Sequence, residues 1–335
     1  MGIKDLNKFI NTHVPEGSQT KDLCYLRGQK VAIDTSIFLY KYLYKNDNFL
    51  EGFFQQIYKL SANNITPIYV FDGSPPSEKK YVLDSRKRKK KNIDHKKEVL
   101  KNRYLELKKN KLNTVNILLE IKKLERKSIK ITNEHITKLK TMLDLMSVKY
   151  IQANCEADSY CGALYQKGIV DACISDDMDF LTCGSDKLIR NFNLSNNSIL
   201  YYDLNLILKK LKITREQWVD ICILCGCDYT KKIKGINYKN ALYLINRYNN
   251  IENIILHIDE IDNSHLEIEN FDYTGSRRIF DNFKYIKTKL SKEHISIGIL
   301  WGNQINEILD LLKINTNLSN KQLNLRLEKI YKIKI

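Results

Sequence analysis

KVAIDTSIFLYKYLYKNDNFLEGFFQQIYKLSANNITPIYVFDG, residues 30–73, carries the pattern that decides the fold. It opens with KVAID (30–34) and closes with ITPIYVFDG (65–73), two short runs of β-branched and apolar residues. Continuous apolar runs of this length mark strands buried on both faces of a parallel sheet. Between them, Ser36 to Leu60 reads as helical, so a right-handed β–α–β crossover is expected. The alternation returns further on. ITNEHITKLKTMLDLM (131–146) is an amphipathic helix with Thr132 and His135 near its start. KYIQA (149–153) and VDACIS (170–175) read as strands, joined by a helix from about Glu156 that Gly168 stops. LIRNF (188–192) and ILYYDL (199–204) are further strands, and Thr214 with Gln217 forms a capping box for a helix reaching about Cys227. From Ile251 the chain is mostly helical. The expected class is α/β with a mostly parallel sheet.

One stretch breaks the alternation. From Pro75 to about Lys130 the sequence is long, basic and helical, with no Gly or Pro after Pro76. Ser77 to Lys130 holds 20 Lys/Arg against 7 Asp/Glu, so 54 of the 335 residues carry +13 of the net +16. A compositional bias spread along the chain would not concentrate the charge this way. A basic element of this kind points to a polyanion. RKRKKK (86–91) also fits a nuclear-localisation signal, but its place inside the insertion favours contact with DNA. No apolar run of 18 residues occurs, so no transmembrane helix or membrane partner is expected. No secretory signal is expected, and Leu6 stands where N-myristoylation wants Ser or Thr. The eight scattered Cys read as reduced thiols of an intracellular protein. In CILCGC, Cys222, Cys225 and Cys227 lack a fourth ligand, which argues against zinc.

Three apolar strands end in acids. Asp34 closes VAID, Asp72 closes YVFD, and ACIS runs into Asp176, Asp177 and Asp179. The crevice of an open parallel sheet lies beyond the carboxyl ends of its strands, so these acids are expected in one place. Asp177 and Asp179, two apart in an extended segment, point the same way, and Asp176 points away. Glu156 and Asp158 open a helix after a strand, where only an irregular first turn aims both inward. Asp228 follows an apolar helix in GCDY (226–229). Seven carboxylates in one crevice demand a cation. All-oxygen ligation points to Mg²⁺, or Mn²⁺ in its place, and so many acids suggest two ions clamping a phosphoryl centre.

MGIKDL at the start, VAIDTS (31–36) with Tyr40, YVFDGSPP (69–76), CEAD (155–158), DDMDFLTCGS (176–185), and CILCGCDY (222–229) followed by IKGI (233–236) stand in a familiar order. Together they resemble the flap endonuclease and XPG superfamily of structure-specific 5′ nucleases, from Met1 to about Tyr248 and more faintly to Ile330. The resemblance implies a PIN-like core, a helical arch insertion and a helix–two-turn–helix DNA-binding element. It implies four regions: 1–76 and 131–250 as nuclease core, 77–130 as arch, and 251–335 as C-terminal helices. It assigns metal ligation to Asp34, Asp72, Glu156, Asp158, Asp177, Asp179 and Asp228. It assigns catalytic roles to Lys79 and Arg86, which share a helix face at seven residues' spacing. It places Gly2 near the active site after loss of Met1, and Tyr40 against a base beside the scissile phosphate.

Arg88, Lys89 and Lys90 on the arch, and Lys232, Lys234, Gly235 and Lys239 in the helix–two-turn–helix, are the further DNA contacts it implies. The family's second turn glycine is replaced by Asn237, which tolerates a left-handed backbone. A small hydroxyl residue is replaced by Lys232, whose charge could substitute for the K⁺ ion of relatives. LNTVNILLEIKKLERK (112–127) is additional arch material and suggests a wider opening. Gln322 and Leu325 begin a clamp-binding box, but Glu328 and Lys329 occupy its aromatic places, which argues against a sliding clamp as partner. The expected partner is branched DNA read without sequence preference, by a monomer, in the nucleus or a cytoplasmic viral replication site. The expected activity is flap endonuclease with 5′→3′ exonuclease action in replication or repair. The alternatives are a double-strand 5′ exonuclease, a Holliday-junction resolvase, an inactive DNA-binding protein, or an RNA nuclease.

Overall fold

The computed structural model describes residues 2–45, 48–258, 271–290 and 304–331. Seven strands form one sheet: β1 (Ser18–Asp22), β2 (Lys30–Asp34), β3 (Thr66–Phe71), β4 (Tyr150–Gln152), β5 (Ala172–Ile174), β6 (Lys187–Arg190) and β7 (Ser198–Asp203). Their order is β1-β7-β6-β5-β2-β3-β4. β2 lies parallel to both β3 and β5, β3 to β4, and β5 to β6, while β7 runs antiparallel to β6 and β1 to β7. From β2 the chain builds outward to β3 and β4, then returns to β5 on the other flank. That reversal between β2 and β5 is the topological switch point, where an open α/β sheet opens its crevice.

Before the insertion lie α1 (Leu6–His13), α2 (Thr35–Lys45) and α3 (Phe49–Ala62). The insertion forms α4 (Lys80–Lys109) and α5 (Val115–Lys127). Then follow α6 (Asn133–Leu145), α7 (Ala157–Gln166), α8 (Leu204–Leu211), α9 (Arg215–Cys225), α10 (Ala241–Tyr248) and α11 (Ile251–Leu256). The chain continues through α12 (Tyr273–Phe280), α13 (Asn282–Lys289), α14 (Gln304–Asn315) and α15 (Asn320–Tyr331). The helical reading of 259–270, 291–303 and 332–335 lies outside the described residues.

Strand side chains alternate between two cores. Ala32, Ile68 and Val70 join one with α1, α7 and α9, whereas Val31, Ile33, Tyr69 and Phe71 join the other with α2, α3 and α6. Buried Ile308, Leu312, Leu323 and Leu327 bring α14 and α15 onto that second face. The single helix expected over Ser36–Leu60 is two, because Asn48 caps a new start at α3 with its side chain accepting from the Glu51 N–H at 3.5 Å. The capping box expected on α9 is formed by Thr214 and Gln217, and Thr132 with His135 forms another on α6. Gly168 follows α7 with φ +68°, as a helix-stopping glycine should. All eight Cys are free thiols.

The insertion departs from expectation. α4 has no buried residue, and α5 buries only Ile121. The extra residues do not widen an opening. They fold back along the distal half of α4, where Lys101 pairs with Glu125 at 3.2 Å and Lys97 reaches Ser128 at 3.4 Å. Any opening is therefore bounded by the first half of α4, Lys80 to Lys96, about 24 Å of helix. The segment between α5 and α6 ties this hairpin to the sheet through Ile129 and Ile131, which pack on the second core.

Candidate active site

The carboxyl ends of β2, β3, β4 and β5 face one pocket of about 190 Å³. Asp34, Asp72, Glu156, Asp158, Asp177, Asp179 and Asp228 all line it, together with Tyr40, Lys79 and Arg86. Each acid is held by backbone that its own local sequence shapes. Asp34 ends β2 and accepts from the Ile37 N–H at 3.3 Å in the first turn of α2 and from Ser175 Oγ at 3.0 Å. Asp72 follows β3 and accepts from the Ala157 N–H at 2.8 Å, at the start of α7, where a helix favours negative charge. Glu156 is the N-cap residue of α7 and Asp158 lies in its first turn, so the irregular helix start does aim both acids inward. Gly162 makes this packing possible, since a Cβ there would strike the Cys183 carbonyl.

Asp177 and Asp179 converge for a different reason from strand alternation. Asp177 caps a 3₁₀ turn, Met178–Leu181, and accepts from the Asp179 N–H at 3.1 Å. Asp176 points away, as expected, and accepts from the Asn191 N–H at 2.8 Å and from Lys41 at 3.3 Å. The Ile3 N–H donates to Asp179 at 2.7 Å. That bond draws the start of the chain in: Gly2 has φ +80°, and a Cβ on it would overlap the Asp177 and Asp179 carboxylates. Asp228 arrives after Gly226, whose φ of +106° turns the chain out of α9.

The electrostatics are those of crowded, poorly solvated acids. Asp34 and Asp179 are 8% and 3% exposed. Burial raises both well above the ordinary carboxylate range, and Asp72 and Asp177 respectively push further. Burial followed by the Glu156 charge pushes Asp158 up to about 7, and Asp177 is raised by burial. Lys79 pairs with Glu156 and lies 4.0 Å from Asp228, while Arg86 meets Asp228 at 2.5 Å. Burial alone would lower Lys79, but its bond to Glu156 and the charges of Glu156, Asp158 and Asp228 together outweigh it and hold the ammonium above its usual value. Lys79, Leu83 and Arg86 all line the pocket, the i, i+4, i+7 face expected at the start of α4. Arg88, Lys89 and Lys90 follow on the same helix without lining it.

Two residues that the sequence alone did not single out hold this arrangement. Ser175 accepts from the Asp177 N–H at 3.1 Å while donating to Asp34, and so links two of the acids. The Tyr229 hydroxyl donates to Glu156 at 2.9 Å and its ring lies 5.6 Å from the Lys79 ammonium. Their only signal was adjacency to Asp176 and Asp228.

Among the described residues no three His, Cys, Asp or Glu side chains already stand at metal-ligand spacing. Glu156 and Asp228 are instead turned onto Lys79 and Arg86. The donor set nevertheless fits a hard divalent cation, because it is all oxygen, is rich in acids and concentrates negative charge where water does not screen it.

The helix–two-turn–helix candidate packs beside this site. Gly235 has φ +90°. Asn237 does not take the left-handed backbone expected of it. Its side chain accepts from the Lys239 N–H at 2.9 Å and its own N–H donates to Asn240 at 2.7 Å, a side-chain turn that leads into α10. Lys232 lies against Gly226, and Lys234 and Lys239 are exposed. Gln322 is spent on capping α15, accepting from the Ser319 N–H at 2.9 Å.

The XPG N-terminal domain model matches residues 1–93 and the XPG I-region model matches 147–228. The chain is 34% identical to flap endonuclease 1 of Enterocytozoon bieneusi over 296 residues, covering 84% of this chain and 77% of that protein. It is 31% identical to flap endonuclease 1 of Entamoeba histolytica over 362 aligned positions, covering 100% of this chain and 92% of that one. The chain belongs to the flap endonuclease family. Its fold matches the catalytic core of Rad2 in complex with DNA substrate (TM-score 0.70, 20% identity, 98% and 100% covered). It also matches the flap endonuclease-1 structure from Methanococcus jannaschii (TM-score 0.64, 23%, 94% and 95%). The two matched stretches hold all seven acids, Lys79 and Arg86. Residues 94–146, between them, hold the distal half of α4, α5 and α6. No helix among its described residues is long and apolar enough to cross a membrane.

Release of repulsion among the acids is measurable. Asp158 is raised from 3.8 to about 7 in the folded chain, so the folded form holds more protons than the unfolded one across that window. Stability is therefore lost as pH rises through it. Asp158→Asn should raise the melting temperature in metal-free buffer at pH 8, by about 1–2 °C per kcal/mol of strain relieved, and change it little at pH 3. Differential scanning fluorimetry at both pH values checks this, and a lower melting temperature at pH 8 would refute it.

Proposed function

We propose that this chain is a structure-specific 5′-flap endonuclease with 5′→3′ exonuclease activity, hydrolysing branched or nicked DNA in replication or repair. The observation that carries the reading is the convergence of seven carboxylates with Lys79 and Arg86 at the β2/β5 switch point. Asp34, Asp72, Glu156, Asp158, Asp177, Asp179 and Asp228 are the residues that would hold two Mg²⁺ ions, with Mn²⁺ as substitute. Such ions supply an activated water and neutralise charge on the phosphodiester.

The chain's own groups do the rest. Ser175, the α2 N-terminus and the α7 N-terminus fix the carboxylates in place. Lys79 and Arg86, paired with Glu156 and Asp228, would be free to turn onto the scissile phosphate when those acids hold cations. Tyr40, 47% exposed at the pocket edge, offers a ring for the neighbouring base. Lys232, Lys234 and Lys239, beside Gly235, meet duplex phosphates, which gives salt-dependent and sequence-independent affinity. Residues 1–76 and 131–250 act as the core, 77–130 as the gate, and 251–335 as helical support. Single-turnover cleavage of flap, nicked, bubble and four-way DNA tests the reading. Preference for the 5′ flap is expected, and preference for the four-way junction would overturn it.

The gate gives a second test. If the first half of α4 closes over the flap, the free 5′ end must pass beneath it. Streptavidin bound to a 5′-biotin before enzyme is added should suppress cleavage. Streptavidin added after the complex forms should trap the flap and permit it. Equal rates in both orders would mean that the flap is not threaded.

A further inference from the structure

Glu156 is held by two side chains, one on each carboxylate oxygen. Its Oε1 accepts from the Lys79 ammonium, and its Oε2 accepts from the Tyr229 hydroxyl at 2.9 Å. Tyr229 is 3% exposed, and its ring packs edge-on against Phe280 of α12 with centroids 5.3 Å apart. The Lys79 ammonium lies 5.6 Å from the centre of the same ring. That is within the roughly 6 Å over which a cation is attracted to an aromatic face. One buried tyrosine therefore touches both members of the Lys79–Glu156 pair.

The two oxygens of Glu156 respond differently to an arriving cation. A divalent cation repels the Lys79 ammonium, but it does not repel a phenol, which is neutral at ordinary pH and donates one O–H. Oε1 is therefore the oxygen that changes partner, and Oε2 is the one that keeps its own. A hydrogen bond of this kind orients a ligating carboxylate, and loss of such a partner typically costs about 10- to 100-fold in metal affinity or activity. The attraction between Lys79 and the ring does not depend on Glu156. It still restrains the ammonium at the pocket wall once Oε1 is taken.

We propose that Tyr229 is a positioning residue with two parts: its hydroxyl anchors Glu156 through Oε2 so that a divalent cation and Lys79 exchange at Oε1, and its ring keeps the displaced Lys79 at the pocket. The inference rests on the metal-dependent nuclease reading above and adds to it the group that couples cation binding to the release of Lys79. Substitution separates the two parts. Phenylalanine removes the hydroxyl and keeps the ring, whereas leucine removes both.

The first test is calorimetric titration of Ca²⁺ into the full chain without DNA. Tyr229→Phe should weaken Ca²⁺ binding by about 10- to 100-fold, and the Mg²⁺ concentration for half-maximal flap cleavage should rise by a similar factor. Its circular dichroism and melting should stay near wild type, because the ring and its Phe280 contact remain. The second test is a double-mutant cycle on single-turnover cleavage at saturating Mg²⁺. Tyr229→Leu should cleave more slowly than Tyr229→Phe when Lys79 is present. In a Lys79→Met background the two should cleave alike, since no ammonium is left for the ring to hold. A general loss of packing in Tyr229→Leu would slow it by the same factor in both backgrounds, and that result would overturn the role of the ring. Wild-type Ca²⁺ affinity and Mg²⁺ requirement in Tyr229→Phe would overturn the role of the hydroxyl. If the wild type neither binds Ca²⁺ nor cuts flap DNA, the nuclease reading falls and takes this one with it. If it does both while Tyr229→Phe is unaffected, only the Tyr229 assignment falls.

Discussion

Asp179→Asn should abolish cleavage of a 5′ flap and leave DNA affinity nearly unchanged. Asp179 is 3% exposed, accepts from the Ile3 N–H, and abuts the Asp177 carboxylate and Gly2. Asparagine keeps the shape and one acceptor oxygen, so the bond that seats the start of the chain survives. What is lost is a negative charge in a site whose proposed chemistry depends on binding divalent cations. Affinity for DNA comes mainly from Lys and Arg contacts to phosphate, and the proposed contacts lie on α4 and around Gly235 rather than on the 3₁₀ turn. Single-turnover cleavage in Mg²⁺, beside anisotropy titrations of labelled flap DNA, separates the two effects. Normal turnover would remove Asp179 from the ligand set, and parallel loss of binding would mean that the turn supports the DNA surface. Removing one of two crowded acids also relieves repulsion, so the inactive variant should melt no lower than wild type without metal.

The parts of this site that could be read from sequence are those tied to buried parallel strands. KVAID and TPIYVF are apolar on both faces because helices cover both, and a run of that kind ends visibly at its first acid. β1, SQTKD, escaped notice because it is a polar edge strand, mostly exposed and paired only with β7. Asp177 and Asp179 were placed together by alternation, yet a capped 3₁₀ turn does the placing, and the two geometries happen to bring the same side chains to one side. Ser175 and Tyr229 act through partners far away in sequence, so no local pattern identifies them. The course of α5 depends on pairings between Lys101 and Glu125 and between Lys97 and Ser128, contacts that a Lys-rich helical pattern does not specify. Asn237 shows the same limit on a small scale. Its residue type signalled a turn, but whether backbone or side chain would make that turn depended on Asn240.

Arg86→Ala should lower single-turnover cleavage by about 10² to 10³ with little change in DNA affinity, the usual cost of removing one preorganised donor from a developing charge. Arg86 is 45% exposed on its side chain and reaches Asp228, whereas Lys79 is 14% exposed and bound to Glu156. Both are therefore preorganised by carboxylates proposed as metal ligands, and both would lose those partners if these carboxylates held cations. On the proposed reading, the charge they carry is then available to the scissile phosphate, the substrate anion that enters the acid pocket. Lys90, on the same helix outside the pocket, has the same charge without that placement. Lys90→Ala should leave turnover at saturating DNA near wild type and reduce the salt dependence of binding by about one phosphate contact. Equal rate losses in the two variants would reduce α4 to a diffuse cationic surface. A rate loss confined to Arg86→Ala, and not rescued by Arg86→Lys, would show that the planar guanidinium matters as well as its charge, because only the guanidinium can grip two phosphate oxygens at once.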